Sequence, residues 1–395
     1  APAIGPVLGG WLTDHFGWPW IFYINVPFSI IGILMVLAFV KDPSYMKRGV
    51  KSIDWGGIAL LTIGLTVMQI VLERGESEDW FQSPWIVWGT VVVVVSVVAL
   101  IWWELRSDEP IIEFRLLRNI PLSVGSAIGL VFGIGLFGTT FLLPEFTQHM
   151  LGYTAYDAGL VLLPRAIALF IFMPIAGVMY RYVDARLLIL GGIILIIWSS
   201  YGLSNLSLHS GSTDLIPVLV IMGMGMPFMF VTMTTVALST VPKAHMTQAS
   251  GLYTLSRRVG GNIAYALVAT IVAHRTQFHR ANLAEHVSDY NANYGSFHSA
   301  ATTALMDKGM SSAEASHAAV GIANNLVNQQ ATMLSYNDVA WVMAGLFLFA
   351  LPLLILLPPG HGPSKKKSPG MRHQPRPASK PSPQGLGSGS VPARQ

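Results

Sequence analysis

Residues 84–103 read PWIVWGTVVVVVSVVALIWW, and residues 55–72 read WGGIALLTIGLTVMQIVL. Neither stretch carries a charge. Each has the length, about 20 residues, that a helix needs to cross the hydrocarbon core of a bilayer. Eight further apolar segments lie outward from this pair, at roughly 1–12, 19–40, 120–144, 158–180, 187–207, 215–241, 250–273 and 338–358. Hydrophobic residues make up 52% of the chain and charged residues only 11%, against about 25% charged in a soluble domain. The expected fold class is therefore all-α, a polytopic membrane protein with about ten transmembrane helices. The 250–273 segment is the weakest, because its apolar part begins only near Gly260. The first is short, closed by Thr13, Asp14 and His15, and the chain starts at Ala1 rather than Met with no leader-like n-region, h-region and cleavage site. It is expected to begin inside a helix, with further protein upstream.

Lys and Arg are distributed unevenly, which sets the expected orientation. With the C-terminus placed in the cytoplasm, nineteen of the 24 cations fall on the cytoplasmic side, in 41–53, 105–119, 181–186, 243–258 and the tail. Four (Arg74, Arg275, Arg280 and Lys308) fall outside, and Arg165 lies within a helix. The net charge of +4 is thus a topology signal, and no nucleic-acid partner is expected. Residues 275–334 read as a long polar loop on the outer face, part of it (SSAEASHAAVGIANNLVNQQ) with helical spacing. Residues 359–395, rich in Pro, Ser, Gly and Lys, read as a disordered cytoplasmic tail.

Several residues stand out against this background. Gly5, Gly9, Gly10 and Pro6 in APAIGPVLGG leave one helix face as bare backbone, which suits either ordinary close packing or a specialised bend. Gly125, Gly129, Gly133, Gly135 and Gly138 do the same for the 120–144 helix. Arg165 lies about 10 Å into its helix from Ala158. A cation there costs roughly 3 kcal/mol on insertion scales, so it either faces a cavity or carboxylate or snorkels to the surface. Pro164 beside it loosens the backbone. No Asp or Glu lies deep in a segment. Glu73, Glu104, Glu145 and Asp157 all sit at helix ends, and Glu145 and Asp157 are the nearest to Arg165. Met222, Met226, Met229 and Met233 form a stripe that serves either as core or as an adaptable pocket wall. Gln69 is an intramembrane amide.

The stretch GPVLGGWLTDHFGWPWIFYINVP resembles the fifth helix and the start of the sixth in drug antiporters of the major facilitator superfamily. IDWGGIALLTIGLTVMQIVLERGESEDWF resembles the extra central helices of its fourteen-helix, EmrB/QacA-type branch, and the likeness continues through LPEFTQHMLGYTAYDAGLVLLP to the last helix. It covers about 1–358 and implies a major facilitator fold lacking its N-terminal helices, with ten of fourteen present. Residues 1–40 would be the end of the first six-helix bundle, 41–105 two linking helices, and 106–358 the second bundle. It also implies an antiporter motif at Gly5, Pro6, Gly9 and Gly10. A cytoplasmic charge lock is implied at Gly177, Arg181, Asp184 and Arg186 in GVMYRYVDAR, where spacing alone fits a plain positive-inside turn equally well.

The activity implied by the resemblance is proton-coupled efflux of amphipathic, often cationic, compounds across a bacterial inner membrane by alternating access. Arg165, Glu145 and Asp157 would be cavity or coupling candidates, and Met222, Met226, Met229, Met233 and Gln69 pocket candidates. The main coupling carboxylate would lie in the missing helices. The partners would be the lipid bilayer, small amphipathic substrates, a periplasmic adaptor and an outer-membrane channel. No cofactor is expected, the proton gradient being the energy source; the nucleotide loop G-x-x-x-x-G-K-[ST] does not occur. His274, His279, His286, His298 and His317 lack zinc spacing and read as surface histidines. There is no cysteine, which excludes disulfides and thiolate metal sites. Three rivals remain: export of a single metabolite or siderophore by the same fold, a non-transporting remnant, and a membrane enzyme. The last would need His, Asp or Glu clustered at one membrane depth, a pattern the sequence does not contain.

Overall fold

The computed structural model describes residues 4–39, 54–107, 110–288 and 290–357. Its helices are α1 (Ile4–Phe16), α2 (Trp20–Tyr23), α3 (Asn25–Phe39), α4 (Trp55–Arg74), α5 (Pro84–Glu104), α6 (Ile120–His149), α7 (Ala155–Met179), α8 (Ala185–Leu203), α9 (Ser212–Ser239), α10 (Met246–Ala284), α11 (Ala292–Met306) and α12 (Ser312–Leu356). Eight helical stretches are long and apolar enough to cross a membrane, among them α2 and α3 taken together as Trp20–Phe39. The two other segments read as spans differ for separate reasons. The described part of α1 has 13 residues, and α10, with 39 residues, is too polar on average. The tail 359–395 and the 41–53 connection lie outside the described residues.

Six helices make one bundle. α10 packs on α6 and α12, α12 on α8, α8 on α9, and α9 on α7 and α6. α4 and α5 form an antiparallel hairpin against α10, and α1 lies on α7. Every residue of α3 is exposed. In lipid, apolar side chains gain nothing by leaving one hydrocarbon for another, so helices associate through close backbone approach and polar links. The α1–α7 contact follows this rule. A Cβ on Gly10 would stand 2.4 Å from the Ala155 carbonyl oxygen, and one on Gly159 would stand 2.5 Å from that of Pro6. Gly5 and Gly9 have nothing within 4 Å of the same position. Asp14, past this contact, accepts from the Tyr156 N–H at 2.9 Å and so helps to satisfy the first turn of α7.

Helix ends are capped mainly by local side chains. Thr154 caps α7 and donates to Asp157 at 3.0 Å. Ser311 and Glu314 form a capping box on α12. The 275–334 stretch, expected as a polar loop with some helix, is mostly helical: α10 continues to Ala284, α11 follows, and α12 begins at Ser312. At 1.5 Å per residue the 45-residue α12 is about 68 Å long, well beyond a bilayer core.

Two connections, those between α5 and α6 and between α9 and α10, meet at one end of the bundle. Thr240 donates to Asn119 at 2.9 Å, and Asn119 caps α6. His245 lies 2.9 Å from Glu113 and 3.2 Å from Gln248. The Gln248 side chain, and then the Glu113 carboxylate, raise His245 above its ordinary value of 6.5. The tie is therefore complete below pH 6.5 and is lost as pH rises through the elevated value.

Two measurements check this description. Gly10→Ala should lower stability in detergent by about 1–3 kcal/mol, since the opposing atom is backbone and cannot swing aside, whereas Gly9→Ala should be close to neutral in thermal unfolding. His245→Gln should flatten the fall in melting temperature on going from pH 6 to pH 8.

Candidate transport cavity

A cavity of about 590 Å³ lies among α1, α6, α7, α9 and α10, within the range of about 300–1,000 Å³ usual for small-molecule sites. Its wall is mostly apolar and aromatic, with Phe132, Phe137 and Phe230 prominent, and Gly5 and Pro6 close it from α1. Three guanidinium-bearing residues, Arg165, Arg257 and Arg258, line it, and among the described residues no Asp or Glu does.

Arg165 therefore takes the cavity-facing alternative. Its Nη2 donates to Thr140 Oγ1 at 2.9 Å, and Met222 Sδ is 4.0 Å from Nη1. Among the described residues it has no carboxylate partner. Its backbone is fixed from behind: a Cβ on Gly223 of α9 would fall 2.3 Å from the Arg165 carbonyl oxygen. That contact holds α9 against α7 at the level where the guanidinium enters the cavity.

Arg257 and Arg258 were counted with the cytoplasmic stretch 243–258, ahead of the apolar part of the 250–273 segment that begins near Gly260. They lie inside α10, which begins eleven residues earlier than Arg257, at Met246. Two glycine contacts seat this part of α10 on α6. A Cβ on Gly133 would lie 2.2 Å from the Arg257 carbonyl oxygen, and one on Gly260 would lie 2.2 Å from that of Leu130. The Arg257 guanidinium sits 4.9 Å from the Phe230 ring centre, a cation–π distance. Removing both from the loops leaves seventeen cations against four, so the topological asymmetry survives.

The other candidates are placed as follows. Met222, Met229 and Met233 are buried between helices, at 0%, 1% and 2% exposure, while Met226 also reaches the cavity wall. Gln69 on α4 does not line it. Glu145 faces His149 at 3.6 Å on its own helix, and Asp157 serves the α7 cap; neither reaches the cavity. Gly9 lies open and its carbonyl accepts from Thr13. At the α7–α8 turn Asp184 caps α8 through the Arg186 N–H at 2.8 Å. The Arg186 guanidinium donates to the carbonyls of Ile355, at 3.2 Å, and Leu357 at the end of α12. Arg181 is exposed, and Gly177 has open space around it.

One cluster was not anticipated. Asp338 Oδ2 accepts from Arg275 Nε at 2.5 Å and faces His279 Nε2 at 2.7 Å, joining α12 to α10. Thr276 and Ser335 meet beside it at 2.9 Å. His279 is thus engaged between helices, in contrast to the surface role expected of it. Arg275 and His279 are one helical turn apart, a spacing that marks a shared face, but their acceptor is about 60 residues away in sequence. No group of three or more metal-ligating side chains occurs among the described residues.

The comparisons with known proteins agree with this arrangement. The family model of the Major Facilitator Superfamily matches residues 1–265. The chain belongs to this superfamily. It is accordingly a multi-pass membrane transporter and not an enzyme. Within the superfamily it is similar to the multidrug export protein EmrB of Escherichia coli K12, with 34% identity over 92% of this chain and 69% of that protein. It is also similar to the fatty acid resistance protein FarB of Neisseria gonorrhoeae, with 29% identity over 91% of this chain and 70% of the relative. The probable multidrug resistance protein EmrY of Escherichia coli K12 is 29% identical over 90% of this chain and 68% of its own length.

The Asp338 cluster yields a test. Asp338→Asn removes the charge that Arg275 and His279 share. After allowance for its partial exposure, with Asp338 at 27% and Arg275 at 42%, this should cost about 1 kcal/mol, read as a lower melting temperature in detergent.

Proposed function

We propose that this major facilitator chain is the membrane part of a proton-driven exporter of amphipathic compounds. We further propose that it sits in a bacterial inner membrane with its C-terminus in the cytoplasm and that its cavity favours substrates bearing a negative charge. The observation that carries the last point is the cavity wall: an apolar, aromatic surface with Arg165, Arg257 and Arg258 and no acidic lining residue among those described. In a low-dielectric site a guanidinium attracts a carboxylate or phenolate far more strongly than in water and discriminates against a cation by the same amount. The aromatic wall takes up the apolar body of such a molecule without demanding one shape.

The relatives support export of chemically varied apolar compounds, since two are named for multidrug export or resistance and one for fatty acid resistance. Lys and Arg asymmetry supports the orientation. A periplasmic adaptor and an outer-membrane channel are proposed as partners, as the resemblance of the sequence to the fourteen-helix branch implies. Alternating access requires the bundle to rock about the cavity, and the Gly10–Ala155 and Pro6–Gly159 contacts put α1 on the surface where that motion would occur.

Efflux from cells expressing the protein tests the charge preference. Arg165→Ala should reduce export of an apolar carboxylic acid about tenfold or more while affecting a matched cationic dye much less, and Arg165→Lys should retain part of the activity. Equal loss for both substrate charges, at normal expression, would defeat the preference. Efflux of one compound alone from a chemically diverse panel would defeat multidrug export.

A further inference from the structure

The α4–α5 hairpin is tied to the bundle at its turn, where Trp80 Nε1 donates to Thr270 of α10 at 3.1 Å. At its other end the antiparallel geometry sets Asp54, the N-cap of α4, beside Glu104, the last residue of α5. Glu104 is 2% exposed, and neither of its carboxyl oxygens has a hydrogen-bond partner. Asp54 is served on one side only. Its Oδ1 accepts from the Gly57 N–H and from Trp103 Nε1, both at 2.8 Å, while Oδ2 is buried without a donor. A Cβ on Gly57 would stand 2.7 Å from Glu104 Oε1 and 2.8 Å from Asp54 Oδ2, so the two unserved acceptors crowd around one point.

The surroundings supply no compensating charge among the described residues. Arg106 stacks on Trp102 at 4.0 Å, and Arg115 donates to the Leu105 carbonyl at 2.6 Å. Glu113 faces His245. α10, packed against α4, turns Arg257 and Arg258 to the cavity and pairs Arg275 with Asp338. Among the described residues, only the peptide N–H groups of Ile112 and Ile111 reach toward the Glu104 carboxyl, and they do so as loose contacts that leave both its oxygens short of a well-formed hydrogen bond. Two ionised carboxylates with unmet acceptors in one dry site repel each other and forgo hydration; sharing a proton removes both penalties.

We infer that Asp54 and Glu104 bind one proton between them, making the open end of the hairpin a proton-binding site apart from the central cavity. Glu104 carries the proton. Asp54 Oδ1 accepts two well-formed N–H bonds, whereas Glu104 is approached only loosely by the Ile112 and Ile111 N–H groups and is buried beside Asp54. The Glu104 O–H then donates to Asp54 Oδ2, which gives that oxygen and the protonated Glu104 oxygen a partner and leaves the other Glu104 oxygen uncharged. Release is the simple dissociation of the Glu104 acid to carboxylate, with the proton passing to water, and it requires the hairpin end to hydrate.

Infrared spectra of the purified chain in nanodiscs, in H2O and D2O, test this. At pH 7 the wild type should show a protonated-carboxyl C=O band, shifted by deuterium, that is absent from Glu104→Gln. Asp54→Asn should move the titration of that band to lower pH by about one unit or more. Glu104→Gln has the shape of the protonated acid and should remain folded. If Asp54→Asn fails to fold through loss of its cap, Asp54→Ser keeps a capping oxygen without the charge. A wild-type spectrum indistinguishable from Glu104→Gln at pH 7, or a titration unmoved by removing the Asp54 charge, would overturn the inference.

Discussion

Backbone-to-backbone approach at glycine is the contact on which this molecule's geometry depends. Lipid tails are as apolar as leucine, so the helices cannot be held together by expelling water from between them. What remains is dispersion at short range, and this is greatest where a missing Cβ lets two backbones close. Such contacts recur at three junctions around the cavity: Gly10 and Gly159 between α1 and α7, Gly223 between α9 and α7, and Gly133 and Gly260 between α6 and α10. Because they act at the carbonyl level they fix helix rotation as well as distance. Arg165 and Arg257 are among the residues whose carbonyls take part, so two of the contacts that join the helices also decide where these guanidinium groups emerge.

Apart from the hydroxyls that fold back onto carbonyls of their own helix, polar side chains are used in two distinct ways. Some close helix ends, where four N–H or four C=O groups would otherwise lack partners. Thr154 with Asp157, Ser311 with Glu314, and Asn119 belong to this class. The others cross between helices. Asp338 links α12 to α10, and Trp80 links the hairpin to α10. α10 therefore holds both of these long-range ties while forming one wall of the cavity. Its modest apolarity follows from that double duty, since a helix enclosed by neighbours and by a cavity that it lines with Arg257 and Arg258 has less need of a lipid-facing surface.

Much of this was legible in the sequence. Charge-free runs located the spans, and the glycine series in α6 announced close packing. Arg165, with Pro164 beside it, marked a residue too costly to leave in lipid. The capping pairs could have been read from their three-residue spacing. Other features were not legible, for physical reasons. Arg257 and Arg258 precede the apolar run that begins near Gly260, and a hydropathy reading starts a helix where apolarity starts, whereas the backbone starts it at Met246. Glu104 looks like an interfacial carboxylate because it ends a span; its burial depends on Asp54, fifty residues earlier, being folded beside it. Asp338 and its partners are each ordinary in isolation and meet only through the α10–α12 packing. The methionine stripe fits a pocket or a core equally well by spacing, and only rotation of α9 sends Met222, Met229 and Met233 inward.

The Arg186 contact has a mechanical consequence. Its side chain reaches from the start of α8 to the last carbonyls of α12, while its own peptide N–H is held by Asp184. Helix C-termini attract cations, so the link is aligned with the dipole of α12 as well as hydrogen-bonded to it. It joins two helices that already touch along their length and pins them at the rim. The pair must then tilt as one beam: a displacement applied where the chain leaves α12 at Leu357 is delivered to the α7–α8 turn, with Arg186 as the rivet between them.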